Sequence, residues 1–369
     1  MKKKRVVIDV NSAMPQYSLG WTSGIGRTTK ELVEALNKIE KPSFDIMLYS
    51  QNTKGIDGRR LNTHFKNRHL YLPNKSWMNR MIGMTHLREW TTNYDLLHIP
   101  HNFEWVRKPE RTLVTIHDAM FFAYPDDVFN YEYYQRVYPT LAKQCKGIIT
   151  CSESSKNDIM QYMDIPEDKI FVCPWGYRKD IYYPRENTNT GKPYFLMVSC
   201  SLGRKNSMTA IRAYEKFLKN APSHELKIIW PNTPLSVLEY CGQTHLKGHI
   251  HIQNKVDDNT LGIMYSNATA TFFPSRYEGF GLPVLESMAC GTPVVTCRNS
   301  SLPEVGGDAA LYVDPDDIDA MCDYMEKFEQ HSIDCNDLKQ RCLNQASLFS
   351  WEKCANQTMN IYNQLLETL

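Results

Sequence analysis

No stretch of this chain approaches the roughly 20 apolar residues of a membrane span. Its 11 cysteines form no CxxC pair and no metal-ligand spacing. An odd number, several in apolar strand-like contexts, predicts reduced thiols and excludes a disulfide framework. The start, Met1-Lys2-Lys3-Lys4-Arg5-Val6-Val7-Ile8-Asp9, is basic, but its apolar run is too short for a signal peptide. A cytoplasmic protein without metal or cofactor is expected. Net charge is nearly absent as well, at +1. That total hides 25 Lys and Arg against 19 Asp and Glu over residues 1–178, a balance of +6, and 17 against 22, or −5, over the remainder. A basic first half suits an anionic lipid surface or a phosphate-bearing acceptor, and it suits ordinary variation in surface charge equally well.

What is present is a globular composition, 42% hydrophobic and 22% charged, in 369 residues. That length suits two domains. Short apolar strands alternate with helical segments, the pattern of a parallel sheet covered by helices. Strands are expected at Arg5–Val10, Phe44–Tyr49, Leu96–Ile99, Leu113–Ile116, Gly147–Cys151 and Ile170–Cys173. A second set is expected at Tyr194–Ser199, Leu226–Trp230, Ile250–Gln253, Ala270–Phe273, Val294–Cys297 and Leu311–Val313. No sequence repeat is visible, yet the architecture occurs twice. Residues 179–192, rich in Pro, Asn and Gly, read as a linker.

The densest chemistry lies between Phe273 and Val295. An apolar strand ends in a Pro-Ser turn, followed by Glu278-Gly279-Phe280-Gly281-Leu282-Pro283 and a helix carrying Glu286. Glycines here bring backbone N–H groups close to a ligand at the positive end of a helix. Two carboxylates, one on the loop and one on the helix, can grip hydroxyls at opposite ends of a polyol. Amides for phosphate and carboxylates for sugar together suit a sugar nucleotide. Arg204 and Lys205 stand between the strand at Tyr194 and the helix expected from Met208, where a diphosphate could use both charges and the helix dipole.

The run resembles the E-x7-E signature of the retaining glycosyltransferases of family 4, the glycosyl transferases group 1. Ser275-x-x-Glu278 through Pro283, Glu286 through Val295, and Ser301-Leu302-Pro303-Glu304-Val305-Gly306-Gly307-Asp308-Ala309-Ala310 follow the family's order and spacing. The resemblance implies an α/β GT-B fold, two Rossmann-like domains facing across a cleft. It implies an acceptor-binding first domain at 1–178 plus 352–369, with the last helix crossing back, and a nucleotide-sugar-binding second domain at 193–351. Glu278 would then hold the sugar, Glu286 the ribose, and Arg204 with Lys205 the diphosphate. The family often carries an arginine earlier in that loop, about where Cys200 sits.

Other elements take their meaning from the same resemblance. Gly24 and Gly26, in Gly24-Ile25-Gly26-Arg27, would lie over the donor phosphates, with Trp21, Thr22 and Ser23 as a lip. His117, in Thr115-Ile116-His117-Asp118, would face the transferred sugar. Asn254-Lys255-Val256 would hold the base through backbone contacts, Val256 among them. His98 and His101 fit either the acceptor side or a structural role, and Ser152 with Ser155 either the cleft rim or a helix cap.

The expected reaction moves a hexose, mannose from GDP-mannose by preference, to a glycan or lipid-linked saccharide with retention and without metal. The donor is GDP- or UDP-linked, and no nucleic acid is involved. A non-hydrolysing sugar-nucleotide epimerase shares the architecture but needs acid and base around C2. A non-catalytic sugar-nucleotide-binding protein would keep Glu286 and Lys205 without turnover. A dehydrogenase would need G-x-G-x-x-G after the first strand, which is missing. Residues 73–90 gather Trp77, Met81 and Met84 with Lys75, Arg80 and Arg88, fitting either a helix packed on the sheet or peripheral contact with the inner membrane surface.

Overall fold

The computed structural model describes residues 3–14, 23–40, 42–52, 63–71, 87–101, 106–186 and 190–369. It divides into two compact units: residues 1–122, 130–176 and 350–369 form the first, and 123–129 with 177–349 form the second.

In the first unit a seven-stranded sheet runs in the order β3-β2-β1-β4-β5-β6-β7. Its strands are β1 (Arg5–Asp9), β2 (Asp45–Asn52), β3 (Lys66–Tyr71), β4 (Leu96–Ile99), β5 (Thr112–Thr115), β6 (Gly147–Thr150) and β7 (Ile170–Val172), all paired in parallel. A parallel strand covered on both faces reads as a continuous apolar run, and Val6, Val7 and Ile8 are wholly buried. The edge strand β3, Lys-Asn-Arg-His-Leu-Tyr, has no such run and was not expected. Charged, polar edges protect a sheet from further pairing. The helix Trp351–Glu367 completes this unit's core, where Ile361, Tyr362, Leu365 and Leu366 pack with Ile8, Leu36 and Leu48.

The second unit repeats the plan with β8 (Tyr194–Met197), β9 (Glu225–Ile229), β10 (Ile250–Gln253), β11 (Ala270–Phe273), β12 (Val294–Cys297) and β13 (Leu311–Val313), in the order β10-β9-β8-β11-β12-β13. Residues 179–192 are more than a linker. Ile181 and Tyr182 are buried, and the Arg185 N–H donates to Ser266 Oγ at 3.1 Å, so this stretch packs on the helix Asp258–Asn267. Pro and Asn composition marks an irregular, mostly exposed chain, here anchored at Ile181 and Tyr182.

Each sheet reverses its strand order once, between β1 and β4 and between β8 and β11. Ligands of doubly wound sheets bind beyond the carboxyl ends of the strands at such a point. Both reversals carry a cluster of charged side chains. Among the described residues no helix is long and apolar enough to cross a membrane. All 11 cysteines are free thiols, Cys335 alone exposed.

Candidate active site

In the second unit, the loops that leave β8 and β11 stand side by side and bring Arg204, Lys205 and Glu278 together. Glu278 is 7% exposed. Its Oε1 accepts from Lys205 Nζ at 2.6 Å and from Ser275 Oγ at 2.7 Å, and Arg204 Nη1 lies 3.2 Å from Oε2. Three of about four carboxylate acceptor positions are thereby used. Burial alone would raise the Glu278 pKa, but Lys205 and then Arg204 outweigh it and hold the group ionised, below its ordinary value. Burial pushes the Lys205 ammonium down, with Glu278 opposing. Lys205 also sits 4.9 Å above the Phe273 ring. Arg204 Nη1 donates to the Tyr277 carbonyl at 2.9 Å, and the Arg276 N–H donates to the Arg204 carbonyl at 2.7 Å.

The glycine run after Glu278 is shaped by neighbours on the loop after β12. The Glu278 N–H donates to Ser300 Oγ at 2.9 Å, and Ser301 Oγ lies 2.8 Å from the carbonyls of both Glu278 and Phe280. Gly281 caps the helix Leu282–Ala289 with φ 109°, a left-handed value that any side chain disfavours. Glu286 is buried on that helix at 5% exposure. The turn that follows Glu278, from Gly279 to Gly281, leads directly into the N-terminus of this helix. Val256 is partly buried between β10 and Asp257, the cap of the helix Asp258–Asn267.

In the first unit, Gly24 opens the helix Gly24–Leu36, and the Gly26 N–H donates to its cap Ser23 Oγ at 3.2 Å. Trp21 and Thr22 lie outside the described residues. His117 follows β5. Both its ring nitrogens are shielded from solvent and have no hydrogen-bond partner among the described residues, and its ring stands 5.3 Å from that of Trp175. Burial, then the charge of His101, pushes its pKa down to about 4; the Pro100 carbonyl opposes this without reaching hydrogen-bond geometry. A neutral imidazole with two unused nitrogens is equipped to meet a hydroxyl as donor or acceptor.

His98 has a structural role. Its Nδ1 lies 2.6 Å from Tyr362 Oη and its Nε2 3.0 Å from Thr115 Oγ1, tying β4 to the last helix. Burial, aided by His101 and His117, lowers it to about 3. Arg88, grouped above with a membrane-facing surface, is instead paired inward: its Nη1 donates to Asp9 Oδ2 at 2.7 Å. His101 Nε2 lies 3.0 Å from the other Asp9 oxygen, to which the Asn11 N–H also donates. Burial would raise Asp9, but His101 and Arg88 hold it far below the usual carboxylate range. A carboxylate closing the first buried strand is the sequence signal for this cluster. The rest of that surface, residues 73–86, lies outside the described residues. Ser152 Oγ accepts from the Ser155 N–H at 3.0 Å and caps the helix Glu153–Met163. Among the described residues no three His, Cys, Asp or Glu side chains stand together as a metal-ligand set.

Comparison with known proteins gives the family and the fold. A family model described as glycosyl transferases group 1 matches residues 179–345, and one described as glycosyltransferase family 4 matches residues 22–180. The chain is 31% identical over 288 residues to the O-antigen chain mannosyltransferase B of Escherichia coli, covering 73% of this chain and 75% of that one. It is 32% identical over 224 residues to the O-antigen chain mannosyltransferase RfbU of Salmonella typhimurium, covering 59% of this chain and 60% of that one. The sucrose-phosphate synthase of Thermosynechococcus elongatus shares the fold, with a TM-score of 0.75 at 19% identity over the whole of both chains.

Proposed function

Since the chain belongs to glycosyltransferase family 4, the glycosyl transferases of group 1 with the GT-B fold, we propose that it transfers mannose from GDP-mannose. The acceptor in this reading is a glycan or lipid-linked saccharide of a cell-surface polysaccharide, at the cytoplasmic face of the membrane. The observation that carries the reading is the meeting of Arg204, Lys205 and Glu278 at the β8/β11 reversal, ahead of the helix that carries Glu286. Similarity to two O-antigen mannosyltransferases supports the choice of sugar.

Breaking the bond between the anomeric carbon and the β-phosphate oxygen leaves negative charge on the diphosphate and positive charge on the ring. Lys205, Arg204 and the amides of Gly279, Phe280 and Gly281 stabilise the leaving diphosphate. In the unliganded arrangement Glu278 is the counter-ion that keeps both cations in place. An arriving diphosphate takes over that role and frees carboxylate lone pairs for the sugar hydroxyls. Glu286 accepts from the ribose hydroxyls. Val256 borders the base, and His117, in the first unit, is equipped as a neutral imidazole to meet a hydroxyl. The leaving phosphate takes the proton of the acceptor hydroxyl, which then attacks the same face, so the anomeric configuration is retained without a metal ion.

Turnover of GDP-mannose with a saccharide acceptor, followed as GDP release in EDTA, tests this scheme, with the product's anomeric configuration read by NMR. Retention and full activity in EDTA are expected. Glu286→Ala should weaken GDP binding roughly ten- to hundredfold, the value of one charged hydrogen bond. Inversion, or GDP affinity unchanged in a folded Glu286→Ala, would withdraw the corresponding step.

A further inference from the structure

Residues 123–129 belong to the second unit, although the chain on either side of them belongs to the first. This strap carries Asp127 to the loop after β8. Asp127 Oδ2 accepts a hydrogen bond from the Arg204 backbone N–H at 2.8 Å and lies 4.0 Å from Arg204 Nε. The approach is close enough that a Cβ placed on Gly203 would fall 1.8 Å from Asp127 Oδ1. Three residues earlier, the Tyr124 ring leans on that of Tyr277, centroids 5.6 Å apart. Arg204 is thus fixed from three sides, by Asp127 at its backbone, by the Tyr277 carbonyl, and by Glu278 at its guanidinium.

We propose that Asp127 is a positioning residue of the diphosphate clamp. By accepting the Arg204 N–H it sets the path of the loop, and with it the point where the guanidinium meets the leaving diphosphate. Gly203 is its companion, because any side chain there evicts the carboxylate. The contact requires an acceptor and not a charge: a full negative charge 4.0 Å from Arg204 Nε opposes an arriving diphosphate, whereas a side-chain amide oxygen would accept the same hydrogen bond. The proposal rests on the reading of Arg204 and Lys205 as the diphosphate clamp.

Calorimetric titration of the full chain with GDP tests it. Asp127→Ala should bind GDP roughly tenfold more weakly, as for loss of one hydrogen bond. Asp127→Asn should bind as tightly as wild type or more tightly, a rescue that mere loss of stability would not give. Gly203→Ala should match Asp127→Ala, and the double variant should be no weaker than either single one, because both changes remove the same contact. Unchanged or tighter binding by Asp127→Ala, or losses that add in the double variant, overturns the proposal. Arg204→Ala separates the two levels of the argument. Should it leave GDP affinity intact, the clamp reading itself fails. Should it weaken GDP while Asp127→Ala does not, only the role of Asp127 falls.

Discussion

Replacing Glu278 with alanine should destabilise the second unit, and GDP should restore much of the loss. The carboxylate neutralises two largely buried cations, Lys205 and Arg204, whose side chains are 14% and 20% exposed. Removing one member of a buried ion pair costs about 3–5 kcal/mol, because the partner is left buried without compensation. Here the lower end applies. Arg204 keeps the Tyr277 carbonyl and Asp127, and Lys205 keeps the face of Phe273. A loss of about 3 kcal/mol in a unit of this size lowers Tm by roughly 6–12 °C. Saturating GDP brings an anion to the same two cations, so its stabilising effect should be larger in the variant than in wild type. Differential scanning calorimetry with and without GDP measures both quantities. A variant as stable as wild type, or one that GDP stabilises less than it stabilises wild type, refutes the reasoning.

Two other outcomes follow from named atoms. His98 is neutral in the fold, at about 3 against an ordinary 6.5, so between those values the unfolded chain binds one more proton. Its contribution to stability is therefore intact above pH 6.5 and is lost at about 1.4 kcal/mol per pH unit as pH falls. His98→Gln should be less stable at pH 7 yet flatter between pH 6.5 and 4 in urea titrations, and an unchanged slope would count against the buried neutral imidazole. Gly281→Ala must hold φ 109° with its Cβ 3.0 Å from Leu302, a cost on the order of 1–3 kcal/mol visible by urea denaturation. Gly24→Ala, whose Cβ meets nothing within 4 Å, serves as the stability control and should be nearly neutral.

The sheets were legible because buried parallel strands are continuous apolar runs, and strands such as Ala270–Phe273 and Val294–Cys297 fall where those runs do. The edge strand Lys66–Tyr71 was not, because an exposed edge has no reason to be apolar. At the site, the residue types suggested roles one at a time and gave no sign of the partnerships. Glu278, Arg204 and Lys205 were read as separate contacts to sugar and phosphate, whereas folded together they first neutralise one another. Asp127 gave no signal at all: 77 residues separate it from Arg204, and only the tertiary path of the strap brings them into contact. Arg88 was open between two readings for the converse reason, since a basic residue in a Trp- and Met-rich stretch fits a lipid-facing cation as well as a packed one until its buried carboxylate partner is known.

The discontinuity of the first unit sets an order of assembly. Its sheet is complete once Ile170–Val172 has been made, but the side chains that seal its core, Ile361, Tyr362, Leu365 and Leu366, leave the ribosome only after all of residues 177–349. Almost the whole second unit lies in that one uninterrupted stretch and can collapse while the chain is still growing. Throughout that interval the first core lacks these four side chains, and His98 lacks its Tyr362 partner. The nascent chain is therefore exposed to aggregation through its incomplete first unit until residues 350–369 have been made.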